Sequence, residues 1–261
     1  MRKISKISER FLLFISLLIL ILSCKKDKPI TQNPIIFNPD LTYGTMTDYD
    51  GNEYKTITIG TQIWMAENLK TTKFNDGIDI PLITDYNSWN NSTTPAYSWY
   101  DNNSTFYKSI YGALYNAYTI NTGRLCPLGW SVPNNNDLTT LVTFLGDTAG
   151  TYPYSARAGN KLREIDTYHW TIGMAGGAGV WYPSTNVGTN ESGFTALPCG
   201  RRGGDGSSVG SGSNTYWWSS SVHVLVGNNW YWSVGNVYGG VASNYDFSKN
   251  YGFSVRCLKI N

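Results

Sequence analysis

Charge is scarce in this sequence. Asp, Glu, Lys and Arg make up 15% of its 261 residues, against about 25% in an ordinary soluble domain. The 20 bases and 18 acids nearly cancel. Four of the bases (Arg2, Lys3, Lys6, Arg10) and one acid (Glu9) fall in the first 23 residues, which leaves the rest at a net charge of −1. A nucleic-acid binder needs a basic face that displaces counterions from phosphates, and none is encoded, so no nucleic-acid partner is expected. Histidine is scarcer still, with only His169 and His223. Neither sits in a G-x-S-x-G or H-E-x-x-H setting, and no close His/Cys spacing would hold zinc. Both read as ordinary hydrogen-bonding residues; no catalytic residue, metal or cofactor is assigned. Long apolar runs are missing too. The longest, residues 11–22, has twelve residues broken only by Ser16, short of the ~20 that a spanning helix needs. What fills the gap is aromatic and small: 10 Trp, 19 Tyr and 27 Gly. Such a chain buries ample apolar area and is not disordered, and it lacks the Ala, Leu, Glu and Lys of a helical bundle. A loop-rich globular domain with short strands and a polar, uncharged surface is expected.

The run at 11–22 suits the h-region of a secretory signal. It ends in Ile21-Leu22-Ser23-Cys24, and a small residue followed at once by Cys resembles a bacterial lipobox. That resemblance implies a signal peptide over 1–23, lipidation of Cys24 and attachment to a membrane through the lipid. The location implied is the bacterial cell envelope, at the outer membrane, periplasmic or surface-exposed. A signal anchor with an incidental Cys is the alternative. Residues 24–42 carry Pro29, Pro34 and Pro39 and read as a semi-stiff tether. Residues 25–40 would reach about 50 Å if extended. One folded domain over 43–261 follows, since no second break in composition appears.

Within that domain, 45–59 reads as a hairpin about Asp50-Gly51. Asp48, Asp50 and Asn52 also suggest a calcium loop, but the Gly and Glu that an EF-hand requires downstream are missing. Residues 61–69 begin with strand-like alternation, and 89–103 read as loop with one short aromatic strand at 96–100. The clearest helix follows Pro133. Asn134 offers a cap, Leu138, Leu141, Val142 and Leu145 share one face, and Gly146 ends it. A shorter helix is predicted at 158–165, and Y-W-W-S-S-S, N-W-Y-W-S-V-G and G-F-S-V-R-C-L-K-I read as closing strands. An exported chain meets an oxidising space. With Cys24 lipidated, one pair among Cys126, Cys199 and Cys257 is expected to join and one thiol to remain.

Several blocks together resemble a known family. They are T-I-G-T-Q-I-W-M-A-E-N-L-K (58–70), Y-G-A-L-Y-N-A-Y (111–118), C-P-L-G-W-S-V-P (126–133), K-L-R-E with His169-Trp170, T-N-E-S-G-F-T-A-L-P (189–198), Y-W-W-S-S-S (216–221) and G-F-S-V-R-C (252–257). In this order they resemble the Fibrobacter succinogenes major paralogous domain. The resemblance implies an α+β, C-type-lectin-like mixed fold shared with formylglycine-generating enzymes. It would have short antiparallel strands, paired amino- and carboxy-terminal strands, one or two flanking helices and long Gly/Asn-rich loops. It also implies a Cys126–Cys257 disulfide. Calcium-dependent sugar binding does not carry over, because the Glu-Pro-Asn or Gln-Pro-Asp and Trp-Asn-Asp tripeptides are missing. Nor does the copper site of the formylglycine generators, which needs two thiols. After A-L-P the chain departs from the family pattern with Cys199-Gly200-Arg201-Arg202. Cys199 reads as a small buried residue, with a reactive thiol beside the two arginines as the sharper alternative.

Glu67, Glu164 and Glu191 are the carboxylates that could pair for glycoside hydrolysis, although Glu67 and Glu191 more plausibly hold loops by accepting backbone N–H bonds. The aromatic candidates are Trp217, Trp218, Trp230, Tyr231 and Trp232. On strands they alternate between faces, one in the core and the other outward, where rings stack on sugars or anchor proteins. Packing residues of the core are the plainer reading. The function expected is a membrane-anchored lipoprotein with a non-catalytic binding module for a glycan or another envelope protein. An enzyme acting on envelope or dietary polysaccharide, or a spacer without a ligand, are the alternatives.

Overall fold

The computed structural model describes residues 33–147, 157–165, 169–170, 187–236 and 240–260. The signal segment, Cys24 and the start of the tether lie outside them. The architecture is mixed α+β, as expected, built on two five-stranded sheets.

The first sheet begins with the hairpin of β1 (Gly44–Thr47) and β2 (Glu53–Ile59). Gly51 takes the left-handed turn at φ +80°. The Asp48 carboxylate, the calcium candidate, instead accepts the Asn52 backbone N–H (2.9 Å), the Asn52 amide (2.8 Å) and the Tyr54 hydroxyl. β2 pairs with β3 (Gln62–Met65), which pairs with β12 (Leu258–Lys259), and β6 (Trp130–Ser131) closes the other edge. Leu258 therefore stands between Trp64 and Ser131, and the chain's last strand is locked into the sheet of its first. The rest of the expected closing strand is not regular. Gly252, Phe253 and Ser254 make single bridges to Arg202, Tyr115 and Trp217, so this segment joins three elements instead of extending one sheet.

The second sheet has the order β11 (Val241–Asn244), β10 (Asn229–Gly235), β9 (Asn214–Val222), β7 (Cys199–Arg202), β8 (Ser208–Ser211). Trp217 faces Trp232 and Trp218 faces Tyr231 across the β9–β10 pair. Here the expectation of an inner and an outer ring face is corrected: both faces are buried. Trp217 and Trp232 pack with Trp64, Phe194, Leu141 and Leu162 in one core. Trp218 and Tyr231 pack with Tyr115, Phe253 and Leu69 in another. The alternation is as predicted, but a helix covers one face, and the 252–254 segment with β5 (Leu114–Tyr115), which pairs with β4 (Tyr97–Ser98), covers the other. Burying an indole requires a partner for its N–H. Trp217 donates to Asn68, Trp218 to the Tyr115 carbonyl and Trp232 to Asn135, at 3.0, 2.7 and 3.1 Å.

Helices are more numerous than expected. α1 (Tyr86–Asn90), α2 (Ser104–Tyr111) and α3 (Ala117–Ile120) are not among the predicted elements, and only the end of α1 falls in the 89–103 stretch that reads as loop; each is started by a side-chain cap: Asp85, Asn103 and Asn116. The predicted α4 (Asn135–Phe144) has the Asn134/Asp137 capping box and buries Leu138, Leu141 and Val142. α5 (Arg157–Leu162) matches the shorter prediction. No helix among the described residues is long and apolar enough to cross a membrane.

Cys126 and Cys257 form a disulfide across 131 positions, and Cys199 is a free, buried thiol. Closing so long a loop restricts the unfolded chain, a contribution of up to about 5 kcal/mol. The later part of the segment read as a tether (24–42) packs on the domain: Phe37 and Leu41, with Tyr43 just beyond it, lie against the second core, and the Lys55 ammonium sits over the Phe37 and Tyr43 rings. The compact unit begins at Asn33.

Candidate functional site

Five of the sequence blocks meet at one buried polar node. Asn68, past the end of β3, accepts with Oδ1 from Trp217 Nε1 (3.0 Å) and Arg256 Nε (2.9 Å), and its amide donates to the Tyr111 carbonyl (3.0 Å). Arg256 is 2% exposed. Its Nη1 donates to the Phe194 carbonyl and its Nη2 to the Thr195 carbonyl (2.9 Å), while its guanidinium lies 4.2 Å from the Phe194 ring centre. Among the described residues no carboxylate forms an ion pair with it. Burial pushes its pKa down to about 9, which leaves it a cation at neutral pH. Carbonyl dipoles and a ring face thus replace the usual acid. The carbonyls are aimed by a strained turn, with Thr195 at φ +54° and Asn190 at φ +47°. The Asn190 amide holds that turn by bonding the Thr195 backbone and hydroxyl, both at 2.9 Å.

A second node joins Glu164 and His169. Glu164 is fully buried and accepts from the Ile36 N–H (2.7 Å) and from His169 Nδ1 (2.6 Å). His169 Nε2 faces the Asn33 carbonyl at 3.1 Å, and Tyr111 lies edge-on to the ring. Both ring nitrogens point at acceptors, and only the imidazolium can donate twice. Burial alone lowers the His169 pKa, but the hydrogen bond and charge of Glu164, with the Asn33 carbonyl, outweigh it and raise it above 6.5. The pair therefore fastens the chain entering the domain.

The other residues singled out in the sequence are dispersed. Glu67 accepts the Lys55 N–H of β2 (2.6 Å), as a loop-holding role requires, whereas Glu191 is exposed and pairs with Lys161 at 3.4 Å. Cys199 contacts the hydroxyls of Thr215 (3.0 Å) and Ser254 (3.1 Å) inside the core. Arg202 points away to the carbonyls of Ile83 and Thr84 and to Asn102. Among the described residues no three His, Cys, Asp or Glu side chains gather.

Of the five ring candidates, Trp217, Trp218, Tyr231 and Trp232 are buried, and a ring with no open face cannot stack on a ligand. Trp230 alone is half-exposed. It meets Tyr245 edge-on at 4.6 Å, and Tyr245 stacks on His223 at 3.7 Å. Beside them the β9–β10 tip projects Val224 and Leu225, 91% and 86% exposed. A second surface set was not legible in the sequence. Half-buried Phe247 and Tyr251 stack at 4.3 Å with 19° between planes, and the Arg201 guanidinium lies 4.6 Å from Phe247 and 4.9 Å from Tyr216. Arg201 is the member of β7 that is not buried. Only the register of β7 and the course of 245–251 bring these residues together.

Two measurements check the nodes. Arg256→Met leaves Asn68 and two carbonyls without their donor, and urea unfolding should show a loss of about 3 kcal/mol or more; a loss below about 1 kcal/mol would contradict the central role of the node. The His169 contribution is full below about pH 6.5, the unfolded value, and is lost as pH rises through the higher folded value. Wild type should therefore lose stability relative to His169→Gln between pH 6 and 9, and parallel curves would refute the double donation.

A family model, the Fibrobacter succinogenes major domain, matches residues 57–259. No curated protein and no solved structure matches the chain. The matched segment opens inside β2 and closes with β12, two inner strands of the first sheet, and contains both buried nodes except for the chain entering from Asn33 to Ile36. The chain belongs to the Fibrobacter succinogenes major domain family.

Proposed function

We propose that this chain is a lipid-anchored protein of the bacterial cell envelope, outer membrane included, whose lectin-like domain is a non-catalytic binding module for a glycan. The observation that carries the reading is the half-exposed shelf of Phe247 and Tyr251 beside Tyr216 and Arg201. Flat rings receive the C–H faces of a sugar, and amide or guanidinium groups beside them receive its hydroxyls. The blocks that define the family point mostly inward, into the cores and the two polar nodes. The shelf, by contrast, comes mainly from residues outside those blocks, as expected where a shared scaffold carries an individual recognition surface. Glu67, Glu164 and Glu191 each have separate partners, which favours binding over two-carboxylate hydrolysis.

The lipid reading rests on Ser23-Cys24 behind an apolar run. Because the chain is fastened from Asn33, nine residues (24–32) would separate lipid from domain, a reach of at most about 30 Å. A second reading, an envelope protein as partner, is favoured by the apolar β9–β10 tip, where Val224, Leu225 and Val226 are all exposed.

The anchor is tested by growing expressing cells with an alkyne fatty acid. Label should enter the wild type and vanish in Cys24→Ser; an unlabelled wild type would remove the anchor. The shelf is tested on a glycan array. Tyr251→Ala with Phe247→Ala should weaken binding at least tenfold while Val224→Ser with Leu225→Ser leaves it unchanged. The reverse pattern would favour the protein-partner reading, and no wild-type binding to any glycan would discard the glycan one.

A further inference from the structure

The unusual member of the shelf is Arg201. A guanidinium offers five N–H donors, and the buried Arg256 and Arg202 direct most of theirs at protein acceptors. Arg256 uses Asn68 and the carbonyls of Phe194 and Thr195. Arg202 uses the carbonyls of Ile83 and Thr84 and the Asn102 side chain. Among the described residues Arg201 has one hydrogen-bond acceptor, the Tyr216 hydroxyl at 2.8 Å from Nη1. Its Nε is buried without a partner, as is that of Arg202, and is closed to a ligand; the donors left for one are on Nη1 and Nη2, and no carboxylate pairs with them among the described residues. Asp246, the acid of the neighbouring segment, already accepts the Tyr231 hydroxyl at 2.7 Å.

The rings explain why this cation is held still. Tyr216 at 4.9 Å, Phe247 at 4.6 Å and Tyr251 at 6.0 Å surround the guanidinium carbon. Cation–π contact stabilises the charge but uses none of its N–H donors. A planar fork with donors to spare, fixed in place before a ligand arrives, matches a carboxylate bidentately and loses little side-chain entropy on binding. The adjoining Phe247–Tyr251 stack supplies the flat apolar surface that a pyranose ring covers.

We propose that Arg201, with the Phe247–Tyr251 shelf, forms a binding site for a carboxylate-bearing sugar, a uronate unit of an acidic polysaccharide. The inference rests on the glycan reading above and narrows it to one chemical class. The guanidinium takes the carboxylate, the rings take the sugar face, and Tyr216 keeps the fork in orientation.

The test titrates the full chain by calorimetry with oligogalacturonate, its methyl ester and a neutral galacto-oligosaccharide. Wild type should bind the acid at least tenfold more tightly than the ester. Arg201→Gln should abolish that preference, and Arg201→Lys, which keeps the charge but not the fork, should restore only part of it. Tyr251→Ala should weaken acid and ester alike. The acid-to-ester ratio on unaltered protein keeps the test decisive even if a variant folds poorly. Equal binding of acid and ester by wild type, or an undiminished preference in Arg201→Gln, overturns the proposal. If neutral sugar binds and acid does not, the glycan reading stands and the assignment to Arg201 falls; if none of the three binds, the assignment to Arg201 falls and the glycan array decides the glycan reading.

Discussion

A cation buried without an acid governs how this domain is assembled. Arg256 is placed in the core by the carboxy-terminal segment, and among the described residues no carboxylate forms an ion pair with it there. Desolvating a guanidinium is costly unless every donor is engaged, so the surrounding chain must bring carbonyls and an amide to it. Asn68 comes from the end of the first hairpin sheet, and Phe194 and Thr195 come from a turn that Asn190 holds in left-handed geometry. Trp217 of the second sheet donates to the same Asn68 oxygen. Segments distant in the sequence are thereby tied at one point, and each is a block by which the family is recognised.

The arrangement around this node explains where recognition surfaces can form. The β9–β10 pair has a core on each side, so its large rings serve packing. The disulfide and the Leu258 pairing close the chain's end over its beginning. Glu164 and His169 clamp the entering chain at Asn33 and Ile36. Among the surface segments, the one after β11, the outward residue of β7 and the β9–β10 tip are free of the polar nodes, and Phe247, Tyr251 and Trp230 stand half-exposed there.

Much of the local structure was legible because local chemistry decided it. Asn134 and Gly146 delimit α4, and its apolar spacing shows which face it buries. Asp50-Gly51 places the first turn. The disulfide followed from resemblance, and the odd thiol proved to be buried. The helices α1, α2 and α3 were illegible because each is short, and the Asp85, Asn103 and Asn116 caps that start them are residue types equally at home in turns. The tether was read too long for a similar reason. Proline spacing describes backbone stiffness, but Phe37 and Leu41 are held by packing that no local pattern announces.

Composition, motif order and cysteine count determined the class of this protein by themselves: a ring-rich, weakly charged α+β domain, cross-linked once, in a recognisable family. The tertiary structure alone decided which rings are covered and which arginine keeps its donors. Exposure depends on what packs against the second face of a strand, and a guanidinium's partners come from segments far away in the chain. Neither is written in the spacing of neighbouring residues. Arg201 and Arg202 are adjacent and chemically identical, yet the alternation of one strand leaves the first beside open rings and sends the second into backbone carbonyls.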